Sequence, residues 1–165
     1  MARLLYEGLE SQVGGPRHHA RPVVGADLGF VGFHNAVHGG RIDIALGDQQ
    51  ALQRTHPGQN VGLYVWAEWC PICKTIQGTV DGVNADHPVI TVAMQSGPPD
   101  RVARYLHGRS LGWHTLVDAR SQLSQALGFG AVPAFAVITP QGQLRWPTVG
   151  LSSGWGLRLR LWLAR

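Results

Sequence analysis

The fold is decided by the stretch Val61-Gly62-Leu63-Tyr64-Val65-Trp66-Ala67-Glu68-Trp69-Cys70-Pro71-Ile72-Cys73-Lys74. An apolar, β-branched and aromatic run predicts a buried strand, and the Cys-x-x-Cys motif that follows at once predicts the first turn of a helix. Pro71 suits the first helical position, because its fixed φ fits a helix and its missing N–H would have no partner there. The sequence thus places a dithiol where a strand ends and a helix begins.

The two cysteines are spaced for redox chemistry. Cys70 is expected at the helix N-terminus, where unpaired backbone N–H groups and the positive end of the helix dipole favour a thiolate over a thiol. Cys73 follows one helical turn later, so the pair can close a disulfide or exchange it with another protein's disulfide. The chain has only these two cysteines. A disulfide-stapled scaffold needs more, so the pair is redox-active or half of a metal site.

The histidines favour the redox interpretation of the dithiol. The chain has eight, and none forms a pair at finger-like spacing after Cys73, so we predict no metal ligands. Nothing in the sequence indicates a cofactor.

Composition predicts one globular domain with a mildly basic surface. The chain has 165 residues, 44% of them hydrophobic, which is enough for a sizeable core. Its net charge is +4, but the basic residues are scattered arginines and Lys74 is the only lysine. This is not the cluster of a nucleic-acid site, and we expect no nucleic-acid partner. Such a surface suits acidic partners or an anionic membrane face, although ordinary solubility charge explains it more simply.

Residues 1–40 predict a poorly ordered lead-in to a domain over 41–165. Glu7 and Glu10 interrupt the first leucine-rich run, so neither a signal-peptide core nor a membrane anchor is visible. Four histidines in this part could bind copper or zinc, but without fixed geometry they are typical of a flexible tail: His18, His19, His34 and His38. The domain is expected to open with an N-terminal hairpin extension, in which Ile42, Ile44 and Leu46 alternate with other residues and 51–55 forms a second segment.

After the dithiol, predicted strands and helices alternate. Strands are expected at 87–94, 113–117, 131–138 and 144–149, and helices at 71–83, 101–106 and 119–127. Strict alternation implies an α/β fold with a largely parallel sheet, closed by an antiparallel hairpin.

The last segment fits both a strand and a helix. Its leucines alternate with arginines and other residues from Trp155 to Leu163, which is strand period, whereas Ser152-Ser153 is a good helix cap. We predict a helix whose apolar face packs on the sheet, consisting of Trp155, Leu159, Trp162 and Leu163. The alternative is a basic amphipathic helix that contacts a membrane.

Pro133 is the second informative position. A proline at the entry of an apolar strand cannot donate to the sheet, so a trans-proline at a strand edge is one interpretation. In a chain with Trp69-Cys70-x-x-Cys73 we favour a cis-proline that faces the dithiol. There, Val132 would present free main-chain groups to an incoming peptide.

Two pairs of sequence blocks carry a resemblance to known families. Residues 66–73 and 130–135 resemble the thioredoxin superfamily, and the strand–helix unit between them resembles its membrane-anchored periplasmic branch of TlpA, ResA and cytochrome-c-maturation thioredoxins. Residues 92–97 and 154–162 are similar to the suppressor-for-copper-sensitivity protein D group of disulfide oxidoreductases. The resemblance covers roughly residues 40–165. It implies a thioredoxin-like fold, with a mixed central sheet flanked by helices and an inserted strand–helix unit.

The resemblance also implies an activity and a set of site residues. Cys70 would attack a client disulfide, Cys73 would resolve the mixed disulfide, and Trp69 would shield the sulfur. Pro71, Val132 and Pro133 would complete the client-binding site. Client proteins with thiols or disulfides, a membrane electron donor, a periplasmic or envelope location and a role in copper tolerance come with the same resemblance.

Three residues depart from the family pattern. Tyr64 stands where thioredoxins have a buried acid, and Ile76 stands where the cytochrome-maturation relatives have a glutamate. Proton transfer at Cys73 therefore has no obvious carboxylate, and Glu68 is expected to point to solvent. Ile72 supplies no charge to a thiolate, which favours a reducing or intermediate potential.

Overall fold

The structure is a computed structural model that describes residues 56–164. The predicted lead-in over 1–40, its histidines and the hairpin extension before residue 56 lie outside the described residues. The elements, in chain order, are β1 (Val61–Trp66), α1 (Pro71–Asp86), β2 (Val89–Met94), α2 (Pro99–Gly108), β3 (His114–Asp118), α3 (Gln122–Ala126), β4 (Ala134–Ile138), β5 (Leu144–Val149) and α4 (Gly154–Leu163). The predicted alternation of strands and helices is confirmed.

The five strands form one mixed sheet in the order β3-β2-β1-β4-β5. β1, β2 and β3 are parallel, whereas β4 runs antiparallel to β1 and β5 antiparallel to β4. The carboxyl ends of three strands and the amino end of β4 therefore meet at one edge of the sheet. β3 and α3 form the strand–helix unit predicted between the two motif blocks.

Side chains of β1 alternate between two hydrophobic clusters, one on each face of the sheet. Tyr64 and Trp66 belong to the cluster that also contains residues of α1, α2 and α4. Leu63 and Val65 belong to the cluster that contains Leu123 of α3. All six residues of β1 are buried, which explains why its sequence is a continuous apolar run with no polar alternation.

Aromatic rings fill the first cluster behind the dithiol helix. Trp66 stacks on Tyr105 with ring centroids 5.3 Å apart and meets Trp113 edge-on at 5.8 Å. Tyr64 also meets Trp113 edge-on, at 5.8 Å. Edge-to-face and offset-stacked arrangements are the favourable geometries for such rings, so the cluster is specifically packed.

The helix predicted over the last segment is confirmed, but its predicted buried face is wrong. Ser153 caps α4 by accepting the Gly156 N–H at 3.1 Å. The residues that pack inward are Leu157, Leu161 and Ala164, whereas the predicted face is exposed to solvent: Trp155, Leu159, Trp162 and Leu163. Arg158 explains this rotation in part, because its guanidinium pairs with the Asp86 carboxylate of α1.

The helix predicted over 119–127 is shorter than expected. α3 starts only at Gln122, because Ser121 adopts a left-handed φ of 59°. The buried Asp118 carboxylate accepts hydrogen bonds from the Ser124 N–H at 2.8 Å and the Ser124 hydroxyl at 2.7 Å. These bonds close the turn between β3 and α3, and the helix begins after this turn.

Within residues 56–164, none of the helices has both the length and the apolar character that crossing a membrane requires.

Candidate active site

Cys70 occupies the N-cap of α1, at the edge of the sheet where β1 ends. Its Sγ accepts the Cys73 N–H at 3.1 Å, which satisfies one of the four backbone donors that a helix N-terminus leaves unpaired. Pro71 takes the first helical position, as its fixed φ predicts. The local sequence therefore places the Cys70 sulfur at the N-terminus of the helix, which is the positive end of its dipole.

Val132 and Pro133 face Cys70 from the neighbouring strand. Val65 of β1 pairs with Ala134 of β4, so the two residues before Ala134 lie beside the dithiol turn. The Val132–Pro133 peptide bond is cis. The Cys70 thiol donates to the Val132 carbonyl at an S···O distance of 3.8 Å. The chain thus brings main-chain groups of Val132 within reach of whatever Cys70 binds.

Cys73 has a different environment from Cys70. Cys70 is 4% exposed and Cys73 is fully buried, and burial, followed by the hydrogen bond with Cys70, raises the pKa of the Cys73 thiol to about 12. Burial likewise raises the pKa of Tyr64, whose hydroxyl lies 3.5 Å from the Cys73 carbonyl oxygen. Tyr64 therefore stays neutral where thioredoxins have an acid. Both cysteines are free thiols in the structure, and the raised pKa keeps Cys73 neutral at neutral pH.

Two exposed apolar side chains flank the dithiol. Trp69 is 56% exposed and Ile72 is 48% exposed. The Trp69 indole is fixed on one side, because its Nε1–H donates to the Gln95 carbonyl at 3.1 Å. The pair offers a protein client an apolar surface immediately beside Cys70.

The loop after β2 supports the dithiol turn, and sequence reasoning did not place it in the site. Gln95 N–H donates to the Asp118 carbonyl at 2.9 Å, which fixes the loop to β3. The buried Ser96 hydroxyl accepts the Glu68 N–H at 2.9 Å and donates to the Met94 carbonyl at 3.1 Å. The sequence signal was Gly97, whose φ of +88° marks a turn that favours glycine.

Glu68 and Lys74 contribute little to the chemistry of the sulfurs. The Glu68 carboxylate pairs with the Arg101 guanidinium, at 2.8 and 3.3 Å, and Lys74 is exposed. Within the described range, no three residues among histidine, cysteine, aspartate and glutamate come together as a metal site would need. The predicted residues that the fold does bring together are Trp69, Cys70, Pro71, Cys73, Val132 and Pro133.

The sheet order and the flanking helices define a thioredoxin-like α/β fold. No model of a known protein family matches the chain. The "thioredoxin-like protein" of Haemophilus influenzae is 25% identical over 119 residues, which are 72% of this chain and 71% of that protein.

Two solved structures show the same fold. The exposed lipoprotein thioredoxin Etrx1 of Streptococcus pneumoniae superposes with a TM-score of 0.59 and 22% identity, over 66% of this chain and 87% of its own. A secreted Mycobacterium tuberculosis disulfide oxidoreductase homologous to E. coli DsbE superposes with a TM-score of 0.52 and 21% identity, over 63% and 81%.

Proposed function

We propose that this protein is a thiol–disulfide oxidoreductase that exchanges disulfides with client proteins through Cys70 and Cys73. The observation that carries the proposal is the inequality of the two sulfurs. Both side chains are buried, but Cys70 caps a helix beside the Val132 carbonyl, whereas burial raises the pKa of Cys73. An attacking sulfur needs thiolate character, and a resolving sulfur must stay protonated until the mixed disulfide forms. The names of the similar proteins support the same class of reaction.

The reaction proceeds in two exchanges. The Cys70 thiolate attacks one sulfur of the client disulfide, a Cys70–client bond forms, and the other client sulfur leaves as a thiolate. Cys73 then attacks the Cys70 sulfur, the Cys70–client bond breaks, and the proton of Cys73 goes to one client sulfur. The other client sulfur takes a proton from water, so the client leaves as a dithiol. Cys70–Cys73 becomes the disulfide, and two electrons pass to the client. The helix N-terminus stabilises the Cys70 thiolate that begins the first step.

Client recognition would use the apolar and main-chain groups around Cys70. Trp69 and Pro71 lie on the helix side, and Val132 with Pro133 lies on the strand side. An extended client segment between them would meet the Val132 backbone as a neighbouring strand would.

We further propose that electrons flow from this protein to its clients in the cell envelope, with copper or redox stress as the setting. Ile72 and Tyr64 support this direction, since neither supplies a charge that would stabilise the reduced pair. The location is supported by two proteins of similar fold, one of them an exposed lipoprotein and the other secreted. The similarity of residues 92–97 and 154–162 to the copper-sensitivity group supports the setting. A membrane thiol–disulfide donor would then return Cys70–Cys73 to the dithiol.

Trapping of clients tests the activity. The Cys73→Ala variant should accumulate mixed disulfides between Cys70 and client proteins, because the second exchange is removed. Cys70→Ala is the matched control, and it should trap nothing and lose insulin-disulfide reduction. The alternative function is that of a soft-metal protein, in which the same dithiol holds Cu(I) or Zn(II). Absence of mixed disulfides, together with stoichiometric metal binding that needs both cysteines, would replace the proposal with that alternative.

The redox potential tests the direction. Titration of the dithiol with glutathione, followed by the fluorescence of the adjacent Trp69, should give a potential below about −250 mV, as for thioredoxin-like reductants. A value above about −180 mV would make the protein an oxidant.

A further inference from the structure

The positive charge of this chain is concentrated in its last part. The first 118 residues carry nine basic and ten acidic side chains, and Asp118 is the last acidic residue in the sequence. The 47 residues that follow carry five arginines and no acidic residue. The arginines are spread along the sequence, but the excess of basic over acidic residues lies in the part after Asp118.

The same part of the chain holds most of the exposed apolar surface. Of the nine large hydrophobic side chains that are exposed among the described residues, seven lie between Trp146 and Leu163. The outer face of α4 contributes four of them: Trp155, Leu159, Trp162 and Leu163. Trp155 is 85% exposed, which is unusual for so large an apolar side chain.

Two arginines flank this outer face of α4. Successive residues of a helix are turned by about 100°, so Arg158 and Arg160 lie on opposite sides of the face, between it and the buried Leu157 and Leu161. Arg158 is fixed by Asp86 and by the Gly82 carbonyl. α4 is therefore apolar toward the sheet and apolar again toward solvent, with basic side chains at both borders.

We propose that the outer face of α4 binds the surface of an anionic phospholipid bilayer. Indoles and leucines insert at the boundary between headgroups and acyl chains. Arg160, whose guanidinium donates to the Gly156 carbonyl at 3.0 Å, lies at the border that meets the lipid phosphates, while Arg158 is paired with Asp86. The part of the chain after Asp118 has no acidic residue to repel an anionic surface, and the Asp86 carboxylate beside α4 is paired with Arg158. The sequence offered packing on the sheet and contact with a membrane as alternatives, and α4 has a separate face for each.

Binding to vesicles of defined composition tests the proposal on the full chain. The protein should sediment with vesicles of phosphatidylglycerol and phosphatidylcholine, and about tenfold less with phosphatidylcholine alone, because the basic last part of the chain then meets no negative surface. Sodium chloride at 0.5 M should weaken binding. Brominated lipids should quench tryptophan emission, because the indoles of α4 enter the lipid.

Paired variants assign the binding to α4. Trp155→Ser with Leu159→Ser should lower vesicle partitioning at least about tenfold, because two apolar side chains no longer leave water. Trp146→Ser, which removes a half-exposed indole from β5, is the matched control and should keep the binding. Circular dichroism and thermal unfolding establish that each variant is folded.

Several outcomes would overturn the assignment. They are failure to bind anionic vesicles at low salt, binding without quenching, and equal losses in the α4 and Trp146 variants. Concentration-dependent dimerisation that the α4 substitutions abolish would show that the outer face of α4 binds a second copy of the chain. The dithiol takes no part in this test, so its failure would leave the proposed redox function standing.

Discussion

The chemistry of the two cysteines is set by their position along a single helical turn. Cys70 is the cap, whose Sγ accepts a backbone N–H, and Cys73 points into the aromatic cluster beside Tyr64. Burial raises the pKa of Cys73 to about 12, so at neutral pH the buried sulfur keeps its proton. A resolving thiol that stays neutral cannot compete with Cys70 for the client's disulfide.

The raised pKa of Cys73 predicts how the stability of the reduced protein depends on pH. The unfolded chain ionises Cys73 near the ordinary cysteine pKa, whereas the folded chain does not, so above that value the folded state binds more protons. The contribution is fully present below about pH 8.5 and is lost as the pH rises toward 12. Urea unfolding of the reduced protein between pH 8 and 9.5 should show a falling free energy of unfolding.

The matched control for this pH dependence is Cys73→Ala. That variant should be less stable than the parent at every pH in the range, because it leaves a cavity, but its free energy of unfolding should fall less steeply. Parallel pH profiles for the two proteins would mean that Cys73 ionises as easily when folded as when unfolded.

At the scale of elements, the sequence predicted the strands of the sheet but not the buried face of α4. β1 to β4 were found because apolar runs bounded by glycine, proline and aspartate are strong local signals, and β5 was found from the tight turn before it. The buried face of α4 could not be found in this way, since apolar residues lie around most of the helix. Tertiary contacts chose between the two faces, through Leu157 and Leu161 in the core and through the pairing of Arg158 with Asp86.

In the candidate site, too, the sequence predicted the residues with local signals and missed those that depend on tertiary contacts. Cys70, Pro71 and Cys73 are contiguous and were placed by cap and proline rules. The supporting loop was not, because Gln95 acts through its carbonyl and Ser96 through a bond to the Glu68 backbone. The carbonyl of Gln95 could belong to any residue type, and the Ser96 hydroxyl gains its partner only when the fold brings Glu68 close. Gly97 was therefore the sign of that turn in the sequence.

At the scale of the molecule, the site lies at the edge of the sheet where β1, β2 and β3 end and β4 begins. β1 leads to Cys70, β2 to the supporting loop, β3 to Asp118 and β4 begins after Pro133. A buried polar network ties the three parallel strands together. The Trp66 Nε1–H donates to the Thr91 hydroxyl at 3.1 Å, and the Thr91 and Thr115 hydroxyls lie 2.7 Å apart.

This network predicts unequal effects for two similar substitutions. Thr91→Val should lower the free energy of unfolding by about 1–3 kcal/mol, because the fully buried Trp66 N–H then has no acceptor. Thr115→Val should cost less, about 1 kcal/mol, because the Thr91 hydroxyl still accepts from Trp66. Urea unfolding of both variants and of the double variant measures the difference. Insulin reduction per folded molecule should stay at the level of the parent, since neither threonine reaches the dithiol. Equal losses for Thr91→Val and Thr115→Val would show that the Trp66 indole does not depend on Thr91, and that this side-chain network adds nothing specific to the pairing of the strands.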